Sequence, residues 1–359
     1  MLLDLSSQQF KDIMKNPSLN LPVRWDGRDF EMTVENLLDE YINTLISFGK
    51  GRSEDQRRKR ISCDVKEINE ISILLKKCIH QYHQGFPATA FSTFQKVMKK
   101  LMVSPLRIYQ KSGALGALET DQLHLFRLRS VKDTTKHSRK DVFHVPSCAR
   151  SMISSCRYSI AGYPSLYLTT SIELGVEEIG NRNNIIVSRF KLMRMQQVIN
   201  IKVLELGIKP QDFCEDVPIN EYINSGRVTN IDLMDDEICS SYLRWYPLIA
   251  ACSFIRANKS SPFSSEYIVP QLLMQWIRKQ VKKNELMGIR YFSCASIRAS
   301  NLGYDYVFPV NNTDYEEGYC SILRDSFSLT EPVYIKDFES IYQCEEFLIN
   351  CGNSSFGKI

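Results

Sequence analysis

The chain has 359 residues, of which 43% are hydrophobic and 24% charged, with a formal net charge of +4. That is the make-up of an ordinary globular protein, long enough for two domains. It argues against a membrane-spanning helix, since no stretch approaches the roughly eighteen uncharged apolar residues one needs, and against nucleic-acid binding on charge alone.

The opening MLLDLSSQQFKDIMK has no basic start followed by an apolar run, so it does not read as a secretory signal. Val34, Leu37, Leu38, Tyr41, Ile42, Leu45 and Ile46 recur at three- and four-residue steps and predict an amphipathic helix ended by Gly49 and Gly51. A second stripe runs through Ile68, Ile71, Leu74, Leu75, Cys78, Ile79 and Tyr82, and a third through Phe91, Phe94, Val97, Met98, Leu101 and Met102. These predict a helical domain over residues 1–110. The basic run 52–60 reads as a solvated loop, because Glu54 and Asp55 interrupt it. Residues 111–122, KSGALGALETDQ, read as a linker.

From 123 the character changes to strands: 123–129, 185–192, 198–206, 288–297 and 304–310. Two helices interrupt them, one over about 236–257 with Pro247 inside, the other starting at Pro270. The expected fold is therefore α+β, with a second domain over 123–330 and a carboxy-terminal extension over 331–359.

The eleven cysteines are odd in number and form no CxxC pair. Cys63, Cys78, Cys156, Cys239 and Cys252 sit among apolar neighbours, as reduced thiols do, which points to the cytoplasm. The spacing offers no zinc ligand set, and His80 with His83 reads as a helix-surface pair, so no metal is expected. A P-loop, a GxGxxG turn and a GxSxG elbow are all missing from the sequence.

Residues 125–180 carry the most information. LFRLR is followed by FHVPSCAR and by CRYSIAGYPSLYLTTSIELGVEEIG; GIRYFS follows further on. Phe126-Arg127, Arg157-Tyr158 with Gly162, Tyr167 with Ser171 and then Glu178, and Gly288-Ile289 with Tyr291 and Ser293 resemble the RES family, named for an arginine, a glutamate and a serine. FHVP, RYSIAGYPSLYL and SEYIVPQLLMQWIR look like the subgroup in which a helical domain of HEPN type precedes the RES domain. The resemblance spans about residues 120–320.

It implies a mixed β-sheet related to ADP-ribosyltransferases and an activity that cleaves the nicotinamide–ribose bond of NAD by hydrolysis or phosphorolysis. It also implies a growth-arresting toxin or defence effector, restrained by an inhibitory protein. NAD is then a substrate, and no cofactor is needed. Glu178, preferred on spacing over its neighbour Glu177, would offset charge on an oxocarbenium-like ribose. Arg127 and Ser293 complete the catalytic set. Arg157, Tyr158, Tyr167 and His144 are expected to bind NAD, the arginine through its fork of donors to the pyrophosphate. The family's Gly-Gly-Arg-Trp is SSCRYS here, which puts the phosphate contacts in question. Transfer of ADP-ribose to a protein, or a non-enzymatic interaction protein on a degenerate RES fold, are the alternatives. A ribonuclease in the helical domain lacks its arginine-then-histidine pattern, so that domain is expected to regulate or to form a homo-oligomer.

Overall fold

The computed structural model describes residues 1–49, 61–103, 123–132, 136–180, 184–193, 203–214, 235–281, 286–311 and 317–359. The expected linker at 111–122, the basic run at 52–60 and the first part of the expected strand at 198–206 lie outside them. In chain order the main elements are β1 (Leu2–Leu5), α1 (Ser7–Met14), α2 (Phe30–Gly49), β2 (Ile61–Asp64), α3 (Val65–His83), α4 (Pro87–Leu101), β3 (Leu125–Ser130) and β4 (Ser165–Thr169). Then follow α5 (Ile172–Ile179), β5 (Ile185–Leu192), β6 (Val203–Leu206), α6 (Asp236–Ala251), α7 (Ile268–Val281), β7 (Gly288–Phe292) and β8 (Tyr304–Pro309). The chain closes with β9 (Phe327–Thr330), β10 (Val333–Tyr334), α8 (Ile341–Ile349) and β11 (Phe356–Gly357). The fold is α+β.

Two compact units divide the chain. The first joins Met1–Gly113 to Ile208–Ile219 and Val228–Trp276. Its helices α2, α3 and α4 bury the three stripes seen in the sequence, with Leu38, Tyr41, Leu45, Ile71, Leu75, Cys78, Phe94, Val97 and Met98 all within 0% of exposure. Helix α6, expected in the second domain, belongs here. Tyr41 donates its hydroxyl to Leu243 O at 2.6 Å, Tyr246 donates to Leu19 O at 3.0 Å, and Arg244 clasps Glu67 with both terminal nitrogens. The reason is its composition: Ile238, Tyr242, Leu243, Trp245, Tyr246, Leu248 and Ile249 are buried on all sides, and an all-round apolar helix must be surrounded. His80 and His83 both turn Nδ1 to the Glu31 carboxylate, at 3.0 and 2.7 Å, and so form a surface clamp between α3 and the start of α2.

The second unit, Ala114–Gly207, Asn220–Arg227 and Ile277–Ile359, holds a nine-stranded mixed sheet. Its order is β11-β9-β5-β3-β4-β8-β7-β6, with β10 added against β5. Every pair is antiparallel except β6–β7. Strands β3 and β4 share only the Phe126–Thr169 pair, whereas β3 pairs with β5 over six residues. Gly288 in the GIRYFS segment has a steric cause: a Cβ there would lie 2.6 Å from Val307 O on β8.

Residues 331–359 are not an appendage. Strands β10 and β11 join the sheet, and Cys344 and Leu348 of α8 complete a core with Phe126, Ile172, Val176, Ile185 and Val187. Its acidic and polar residues hid this, because only one face of a nine-residue helix has to be apolar.

Candidate active site

Helix α5 packs closely on the sheet at Gly175, where a Cβ would stand 2.6 Å from Leu128 Cδ1. Ser171 caps its start, accepting from Leu174 N at 3.2 Å, and Glu345 of α8 accepts from Ile172 N at 2.8 Å. The last turn carries Glu177 and Glu178 and no basic residue. Carboxylates are disfavoured at that negative end of the helix dipole, so each needs another reason to be there. Glu177 faces Ser296 at 3.3 Å and Arg298 at 3.6 Å. Glu178 faces the sheet, where Ser293, just past the end of β7, donates to its Oε1 at 2.6 Å.

Beside them lies Asp305 of β8, only 2% exposed. Burial raises its pKa well above the carboxylate range, and the charge of Glu178 and a hydrogen bond to it add to the rise; Arg157 and the Thr169 hydroxyl oppose it. Burial and the neighbouring Glu178 thus bias Asp305 toward its protonated, neutral form. Its Oδ2 is buried without a hydrogen bond. Asp305 was absent from the sequence-based candidates. The one available signal was a single carboxylate inside the apolar run YDYVFPV.

A folded-state pKa above the unfolded one means that the stability Asp305 contributes is whole below about pH 4 and is lost as pH rises through the folded value. Asp305→Asn removes that loss. Its stability relative to the parent, measured by urea unfolding between pH 4 and 8, is expected to climb with pH. Two stability curves that stay parallel across this range would show that Asp305 is already ionised.

The remaining candidates surround this group in different ways. Arg157 is 9% exposed and within electrostatic range of Asp305. Tyr167 shares a 2.8 Å hydrogen bond with Ser159, the residue after Tyr158. Arg127 spans the gap where β3 and β4 part, donating Nη1 to Tyr167 O at 2.6 Å. Burial pushes the Arg127 pKa down to about 9, and Arg129 adds to the effect. It stays charged at neutral pH, with Nε buried and lacking a hydrogen-bond partner. Such a group favours an incoming anion.

Two candidates are placed otherwise than expected. Tyr158 is 1% exposed and packs its ring against Tyr291 at 4.7 Å, so it forms the wall behind the site rather than an open stacking face. His144 is fully buried; its Nδ1 donates to Val145 O and its Nε2 accepts from Cys320 N, both at 2.9 Å. With both ring nitrogens committed to main chain, His144 holds the fold and presents neither nitrogen to a ligand. Cys156, expected to be buried, is partly exposed, whereas Cys63, Cys78, Cys239 and Cys252 are buried as expected.

No helix among the described residues is long and apolar enough to cross a membrane. No family model matches the chain, and no solved structure matches it. The chain is similar to a protein named "Putative toxin YopC" from Bacillus subtilis (strain 168), with 28% identity over 333 residues, covering 89% of this chain and 70% of that protein.

Proposed function

We propose that this protein is a growth-arresting toxin that acts by cleaving the nicotinamide–ribose bond of NAD. The observation that carries the reading is the 2.6 Å contact by which Ser293 holds Glu178, a carboxylate 115 residues away in the chain, beside the buried Asp305. The similarity to a protein named as a toxin supports the biological half. The resemblance of the Arg127, Glu178 and Ser293 segments to RES enzymes supports the chemical half.

Nicotinamide in NAD is already a cationic leaving group. When its bond to C1′ breaks, the electron pair moves onto the ring, which departs neutral without needing a proton. Positive charge then builds on the ribose, and a fixed carboxylate close to C1′ stabilises it. Glu178 is exposed enough to meet a substrate, and Ser293 orients it. Asp305, held toward its protonated form by burial, would add no second negative charge to be desolvated. Arg127 supplies a cation for the pyrophosphate. Water or phosphate then adds to C1′, and water gives up a proton as it does so.

Purified protein incubated with NAD, with and without phosphate, tests this. Release of nicotinamide with ADP-ribose or its 1-phosphate is the expected result, and the phosphate dependence identifies the acceptor. Intact NAD after prolonged incubation would end the reading. ADP-ribose appearing on an added protein instead would make the enzyme a transferase.

A further inference from the structure

A second group of charges lies along the same β4–β8 ladder. Tyr163, two residues before β4, is 49% exposed. Two guanidinium groups stand over its ring, Arg150 at 5.7 Å and Arg278 at 5.6 Å from the centroid. Arg278, in the last turn of α7, is fixed to the end of the ladder: it donates to Val310 O at 2.9 Å, to Asn311 Oδ1 at 3.4 Å and to Pro164 O at 2.8 Å. The Arg150 guanidinium is exposed and makes neither hydrogen bond nor ion pair with a described residue, and no carboxylate among them lies within 4 Å of either group. Two cations on one ring, with no counter-charge among the described residues, repel each other. Burial lowers the pKa of Arg278, and Arg150 lowers it further. An anion bound beside them offsets that cost.

The position along the ladder says which anion. Asp305 pairs with Thr169, and Arg278 binds the main chain at Pro164 and Val310. Five strand steps separate the two ends, about 16 Å. That exceeds the reach of one nucleoside and suits an extended dinucleotide. Between them, Ser165 lies on the same face as Tyr167, its hydroxyl buried with no hydrogen-bond partner.

We infer that Arg150, Tyr163 and Arg278 bind the adenosine diphosphate part of a dinucleotide whose other ribose is cut at Glu178. This rests on the proposed cleavage reaction for its second half only. Arg150 is the working cation, open to the ligand; Arg278 is the fixed one that sets the position of Tyr163.

ADP itself is the probe, titrated by calorimetry into the full chain and into Arg150→Glu and Arg150→Lys. Arg150 is exposed and makes only the ring contact, so both variants are expected to fold. Arg150→Glu should weaken ADP binding by about tenfold or more, the weight of a hydrogen bond to a charged group. Arg150→Lys should fall between, since it keeps the charge and loses the planar fork. In NAD turnover, Arg150→Glu should raise KM and leave kcat unchanged. Equal ADP binding by parent and Arg150→Glu, or no ADP binding by the parent at millimolar concentration, would overturn the assignment. If ADP binding depends on Arg150 but NAD survives, the subsite stands and the cleavage reading falls. If NAD is cleaved with the same KM in Arg150→Glu, the reverse holds.

Discussion

Glu178→Gln is expected to lower the rate of NAD cleavage by about 10²–10³-fold, the loss typical of one key electrostatic group at a reacting centre. The substitution keeps the shape of the side chain and its ability to accept from Ser293, and removes only the charge. KM should change little, because charge on the ribose develops after binding. Stability should hold or rise by about 0.3–1 kcal/mol, since a carboxylate is lost from the negative end of α5. A loss of activity with no loss of melting temperature is thus the signature. In cells, induction of Glu178→Gln should leave the NAD pool and growth intact where the parent depletes both. A variant that keeps full activity would remove Glu178 from the chemistry, and Glu177→Gln, whose carboxylate already faces Arg298, is the control.

The largest expected effect on stability lies elsewhere in the same unit. Arg290 of β7 and Glu205 of β6 are each about 1% exposed and pair with one another, and the Arg290 guanidinium lies 3.6 Å from the centre of the Tyr304 ring. Burial opposes the charge on Arg290, but Glu205 outweighs it and the pKa is raised above the usual arginine value. Glu205 also accepts from Gly207 N at 2.6 Å. Removing one partner strands a charge in the interior. Arg290→Met should therefore cost about 3–5 kcal/mol in denaturant unfolding. Replacing both, as Glu205→Met with Arg290→Met, should recover much of that cost, because neither charge is then left alone. A single variant that loses less than about 1 kcal/mol would show that water reaches the pair.

Much of this architecture is legible in the sequence. Strand Ile185–Leu192 is legible to the residue, since its β-branched start follows the turn-forming run of Gly180, Asn181, Asn183 and Asn184. Helices α2, α3 and α4 followed from stripes at helical spacing. What periodicity could not supply is which surface an element meets. Helix α6 has strong helical character, but nothing local says that Tyr41 and Leu19 will take its tyrosine hydroxyls and carbonyls into the first unit. In the site, the motif segments located Glu178 and Ser293, but their pairing crosses 115 residues and depends on how α5 seats on β3. His144 lay in an informative segment and still proved to be a fastening for the main chain, because a histidine's partners are decided by the fold around it. Asp305, Glu205 and Arg290 share one trait: a lone charge in an apolar strand. Each turned out to be paired or neutralised, and that trait is the most useful clue the strands contained.

Helix α8 has a consequence for the order of events during synthesis. Glu345 tethers the first residue of the helix that carries Glu178 in its last turn, and Cys344 and Leu348 cover that helix's inner side. A ribosome adds about 5–20 residues per second, so roughly two to nine seconds separate the making of Asp305, the last residue of the carboxylate centre, from that of Ile349. Nascent chains during that interval have every residue of the carboxylate centre but lack its buttress. Producing cells are thereby given a delay between translating the reactive groups and assembling them.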